Sequence, residues 1–180
     1  MRNIQDDSDM KIVGEYVNPE PKTIITPEMV MEQDKNGNLD KAKALAISLI
    51  EASKEYEKKH PIHNTSLRFQ RWIILLFVAD MEIAHCLPNS LVADMATAHF
   101  HSLLQTEAVE MYRTLEQNGS YSFYNCCQEK KIIDEKAASE VFASLCHHPN
   151  SVIFRDLGHI LIDECQRGVM KLAEQQHFTF

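Results

Sequence analysis

From Asp40 onward, apolar residues return at every third or fourth position, the spacing that lines one face of an α-helix. Ala42, Leu45, Leu49, Ala52 and Tyr56 form one such stripe before Pro61, which predicts a helix over 40–59. A second, over 66–86, follows the cap-like "HNTS" and stops before Pro88. A third, over 90–117, carries Ala96, Phe100, Leu104, Met111 and Leu115, and Asn118-Gly119 ends it. Two short helices are predicted at 122–131 and 135–147. Asp134 caps the second, and Ala138, Val141, Phe142 and Leu145 line it. The last, over 151–177, shows Phe154, Leu157, Leu161, Cys165, Val169 and Leu172. Gly158 and Gly168 on its same side would let a neighbouring helix approach closely. The expected fold is an all-α helical bundle of about four long and two short helices, a single domain over 39–180.

The stretch "RWIILLFVADMEIAHC", residues 71–86, breaks the amphipathic rule. It is apolar all round between Arg71 and Asp80. A membrane-spanning helix needs about 20 apolar residues, so this run reads as the buried central helix of a bundle. Asp80 continues the stripe of Phe69, Trp72/Ile73 and Leu76, which buries it in part. A buried carboxylate must be paired or hydrogen-bonded, and Arg68, Arg71 or a tyrosine hydroxyl is the expected partner.

Residues 1–38 follow another pattern. Pro19, Pro21 and Pro27 interrupt them, and they carry four of the eight net negative charges of the chain. "KIVGEYV" and "TIITPEMV" are too apolar for pure disorder. The region reads as an N-terminal arm, partly extended, with one short helix at "TPEMVMEQ" that Thr26 caps and Pro27 starts. "DKNGNLD" at 34–40 has some calcium-loop spacing. With Gly37 at the sixth position, however, Glu32 takes the first, and Lys43 stands where a bidentate Glu is required. An Asn-Gly turn explains the segment better.

Composition narrows the function classes. Five glycines and six prolines in 180 residues leave little turn chemistry for a many-stranded protein. The formal charge of -8 argues against nucleic acid and anionic membranes, which need clustered Lys and Arg. Five cysteines with no C-x-x-C do not describe a disulfide framework, and "MRNIQDDSDM" is too acidic for a signal peptide, so a cytoplasmic location is expected. Cys126 and Cys127 would diverge by about 100° on a helix, as two small residues rather than a redox pair.

The nine histidines hold the remaining chemistry. His60, His85, His147, His148 and His177 fall at predicted helix C-termini, where an imidazolium interacts well with free carbonyls. His99 and His101 point about 200° apart on a helix, so they cannot share a metal. Glu-x-x-His recurs at Glu57/His60, Glu82/His85 and Glu174/His177. In a helix this i, i+3 spacing puts both side chains on one face, as in carboxylate-bridged di-iron and di-manganese bundles. If the four long helices run up, down, up, down, Glu82, His85, Glu174 and His177 gather at one end. Asp40 and Asp94 would join them there as candidate iron or manganese ligands.

Two function classes follow. The first is a protein-interaction or regulatory module that self-associates or takes a protein partner, through the arm, the aromatic "SYSFY" and the apolar tail "HFTF". The alternative is a metal-binding enzyme or carrier built on those six residues. A third possibility, an apolar ligand pocket between helices, is compatible with Trp72, Phe77, Phe100 and Phe142.

Overall fold

Side-chain caps set where the helices begin in the computed structural model, which describes residues 25–117 and 119–180. Helix α1 (Pro27–Lys35) starts where Thr26 accepts the amide of Met29, with Pro27 in its first turn. Gly37, at φ 72°, turns the chain into α2 (Asn38–Lys59). Asn64 caps α3 (Thr65–Cys86), Asn89 caps α4 (Ser90–Glu107), and Ser151 caps α8 (Val152–Gln175). The remaining helices are α5 (Val109–Gln117), α6 (Ser120–Tyr124) and α7 (Glu135–Leu145), the last capped by Asp134. These eight helices and almost no sheet make an all-α bundle. The extended arm expected at the start of the chain lies, up to residue 24, outside the described residues.

Long-range contacts fix the directions of the four long helices. Arg71 pairs with Glu57, which sets α3 antiparallel to α2. Lys54 meets Glu107 at 2.6 Å, so α4 runs parallel to α2. Lys41 Nζ donates to the carbonyl of His177 at 2.8 Å, which brings the end of α8 back to the start of α2. The order is therefore up, down, up, down, as the short connections predict.

Helix α3 is apolar all round because it serves two cores. Trp72, Leu76, Ala79 and Ile83 face a core shared with α2, α4 and the second half of α8. Ile73, Ile74, Phe77 and Val78 face a second core with Tyr124, Ile133, Phe142 and Ile162. Each face buries branched and aromatic surface worth about 1.5–3 kcal/mol per large side chain. Among the described residues no helix is long and apolar enough to cross a membrane.

Two predicted helices differ. The helix expected over 90–117 is broken at Ala108, whose backbone leaves the helical region at φ -132°, ψ 51°. Met111 on the far side of that break is buried in the first core. The helix expected over 122–131 is instead the short α6, one 3₁₀ turn at Asn125–Cys127, and a two-stranded hairpin, β1 (Gln128–Glu129) against β2 (Ile132–Ile133). Lys130 and Lys131 make its turn at φ 49° and 65°. Two left-handed residues in a two-residue loop match the strand twist, although glycine or asparagine usually supplies them. Cys126 is exposed and Cys127 buried, and both are free.

Candidate functional site

Helix α2 meets the α8 end of the chain where Lys41 reaches the His177 carbonyl and Tyr56 reaches Glu164, and an apolar cleft lies between the two helices. Its floor is Leu75, Leu76 and Ala79 of α3, with Phe100 of α4 and Met111 of α5 behind. Leu49 and Ala52 of α2 form one wall, and Val169 and Leu172 of α8 the other. The cavity measures about 150 Å³. Small residues keep it open: a Cβ built on Gly168 would meet nothing within 4 Å. Gly168 therefore sits at the mouth of the cleft, and the close helix approach expected of it belongs to Gly158 alone. There an added Cβ would lie 3.0 Å from Ser139 Cα of α7.

Polar groups meet at one edge. Tyr56 Oη donates to Glu164 Oε2 at 3.2 Å. Burial, reinforced by the Glu164 charge, pushes the Tyr56 hydroxyl up to about 12. Beyond these two residues is a second space of about 380 Å³, which they also line, together with His60, Arg71, Leu157 and Leu161. Arg71 is only 3% exposed. Its Nη1 donates to the His60 carbonyl at 2.6 Å, its Nη2 donates to Glu57, and its guanidinium lies 5.5 Å from the Tyr56 ring centroid. Its Nε–H is buried without an acceptor among the described residues. Cys165, in the cleft wall, donates its thiol to the Leu75 carbonyl at 3.5 Å. Burial first, then the charges of Glu82 and Asp80, raise that thiol to about 12, so it stays protonated and unreactive at neutral pH.

Asp80 follows Ala79 on α3 and does not line the cleft. Its Oδ2 accepts from the Tyr121 hydroxyl at 2.6 Å, and its Oδ1 from His101 Nε2 at 2.8 Å. The expected tyrosine hydroxyl is thus present, while Arg68 pairs with Glu110 and Arg71 with Glu57. His101 was not foreseen as a partner. The hydrogen bond to Asp80 raises the His101 pKa against the opposing effect of burial. The Tyr121 hydroxyl is pushed far up by burial and by the Asp80 charge. These three residues tie α4 and α6 to α3.

The six candidate metal ligands are placed as follows. Glu82 is buried and accepts from Gln166 Nε2 at 2.9 Å. His85, one turn on, is exposed. Asp40 is exposed and pairs with Lys43 at 3.1 Å, and Asp94 is also exposed. Glu174 and His177 do share the lining of one space, with Cys86, Met170 and Phe178 at the bundle end. His177, however, lies past the end of α8 at φ 51°, so this pair lacks the helical i, i+3 geometry. Among the described residues, no group of three or more His, Cys, Asp or Glu side chains is arranged to hold a metal ion.

The chain matches no protein-family model, no curated protein and no solved structure, so the reading of its site rests on its own geometry.

Proposed function

We propose that this chain is a small-molecule-binding protein whose α2/α8 cleft takes an uncharged, largely apolar ligand with a body about the size of one benzene ring. The observation that carries this reading is the cleft itself, about 150 Å³ of apolar space that the side chains of five helices leave unfilled. Enclosed cavities of about this volume lined by Leu, Ile and Phe bind benzene, and this cleft offers a comparable apolar space that is open at its mouth. The chamber is too narrow for a partner helix, which is about 10 Å across with its side chains. Nothing in the wall is poised for covalent chemistry, since the Cys165 thiol is held protonated. The work of the cleft is capture by desolvation, and the charged groups at its edge are already paired with one another.

Ethylbenzene tests this by calorimetry and thermal unfolding. At about ten times its Kd the ligand should stabilise the fold by about 1.4 kcal/mol. Ala79→Leu, which places a larger side chain on the cleft floor, should remain folded and lose the effect. An equal response in both proteins would refute the reading.

A second reading, self-association, is supported by the outer face of α8. Ile153 and Ile160, two turns apart, are 77% and 53% exposed, and Val152 beside them is 60% exposed. A second copy of the chain would cover this stripe. Sedimentation equilibrium of the protein and of Ile153→Glu checks it: a dimer that the substitution dissociates supports it, and a monomer in both disposes of it.

A further inference from the structure

We propose, resting on the reading of the cleft as a ligand site, that the cleft and the second space form one channel, and that its ligand is an uncharged molecule with a ring in the cleft and a straight alkyl chain in the second space. Two observations lead there. Tyr56 and Glu164 are the residues that line both spaces, so the two adjoin at this pair. The pair is held across from α2 to α8 by a single exposed hydrogen bond of 3.2 Å, longer than the roughly 3.0 Å that bounds most hydroxyl donors. Glu164 is exposed, so its carboxylate can turn into water as a chain passes, and water replaces the bond it gives up. The passage opened by one turned carboxylate suits a chain one methylene wide better than a second ring.

The lining of the second space selects hydrocarbon over charge. Ile62, Leu67, Phe142, Leu157, Ile160 and Leu161 supply most of it. Arg71, which also lines it, is already paired with Glu57 and bonded to the His60 carbonyl. A carboxylate at the end of the chain would pass Glu164 and then meet an arginine that Glu57 neutralises. An uncharged chain leaves these pairs intact and is driven in by the apolar area it removes from water. The ligand class is therefore a straight-chain alkylbenzene or a molecule of that shape, longer than the cleft alone would hold.

The test compares hexylbenzene with ethylbenzene on the full chain. The two carry the same ring and differ only in the length of the chain. Each methylene buried in the second space should lower Kd about fourfold, so calorimetry should give hexylbenzene a Kd lower by about tenfold or more even after the Tyr56–Glu164 bond is displaced. The methyls of Leu67 and Leu157, which line the second space and not the cleft, should shift with hexylbenzene and stay with ethylbenzene. Ile160 is 53% exposed and lines the second space, so Ile160→Trp should fill that space and cancel the advantage of the longer chain. Should that variant fail to fold, the methyl shifts in the unaltered protein still decide. Equal affinities, an advantage that Ile160→Trp retains, or unmoved Leu67 and Leu157 methyls would overturn the joined channel while leaving the cleft reading in place. Binding of neither compound would overturn both.

Discussion

His101 Nε2 lies 2.8 Å from Asp80 Oδ1, a hydrogen bond that joins α4 to the central helix. The bond raises the folded-state pKa of His101 above its ordinary value of 6.5. A histidine raised on folding stabilises the fold fully below its unfolded pKa, and that contribution fades as pH rises through the folded value. The stability advantage of the protein over Asp80→Asn should therefore be greatest in mildly acidic solution and shrink as pH rises past 6.5. The His101 ring proton, followed by NMR, should titrate above 6.5 in the protein and fall back towards it in the variant. A midpoint at or below 6.5 in the unaltered protein would show that the bond does not favour the imidazolium.

Asn38 and the tail form a reciprocal pair. Asn38 Nδ2 donates to the Thr179 carbonyl at 2.8 Å, and the Thr179 amide donates back to Oδ1 at 3.0 Å. The same Nδ2 also donates to Gln33 at 2.7 Å, so this fully buried side chain holds α1, α2 and the C-terminus together. Asn38→Ala removes both donated bonds and the acceptor of the Thr179 amide, at a cost of about 1–3 kcal/mol. Hydrogen exchange at the Thr179 amide should accelerate, and denaturant unfolding should shift to a lower midpoint. Unchanged protection at Thr179 would mean that the tail is held by the packing of Phe178 alone.

The two glycines of α8 should respond in opposite senses to alanine. Gly168→Ala meets nothing within 4 Å and gains helix propensity, so it should stabilise by roughly 0.5–1 kcal/mol. Gly158→Ala drives a methyl to 3.0 Å from Ser139 Cα, a backbone atom that yields only if α7 moves, and should destabilise by about 1–3 kcal/mol. Thermal unfolding of the two variants checks both signs.

Much of the fold was legible in local chemistry. Thr26, Asn64, Asn89, Asp134 and Ser151 cap the helices that the spacing predicts, because a cap needs only its own side chain and the amides two or three residues on. The all-round apolar run of α3 marked the central helix for the same kind of reason, since two faces had two cores to meet. The break at Ala108 was not legible, because alanine is the best helix former and the turn there answers to tertiary packing around Met111. The Lys130-Lys131 turn was hidden likewise, since neither residue signals positive φ.

The cleft was harder to read than the fold. It is made by what is missing at Ala52 and Gly168 and by walls from five different helices, so no spacing along the chain announces it. Phe100, named among the aromatics of a possible apolar pocket, does line it, while Trp72, Phe77 and Phe142 belong to the packed cores. The Glu-x-x-His spacing pointed elsewhere. It assumes that both members are helical, which holds for Glu82 and His85 within α3, while the chain has already left the helix at His60 and His177.

The most direct test of the cleft as a ligand site is a titration of methyl-labelled protein with ethylbenzene, read at individual methionine and leucine methyls. Saturable shifts at Met111, Leu49, Leu76 and Leu172, with Leu145 in the second core unmoved, are the predicted result. Shifts spread evenly over both cores, or none at saturating ethylbenzene, would contradict it.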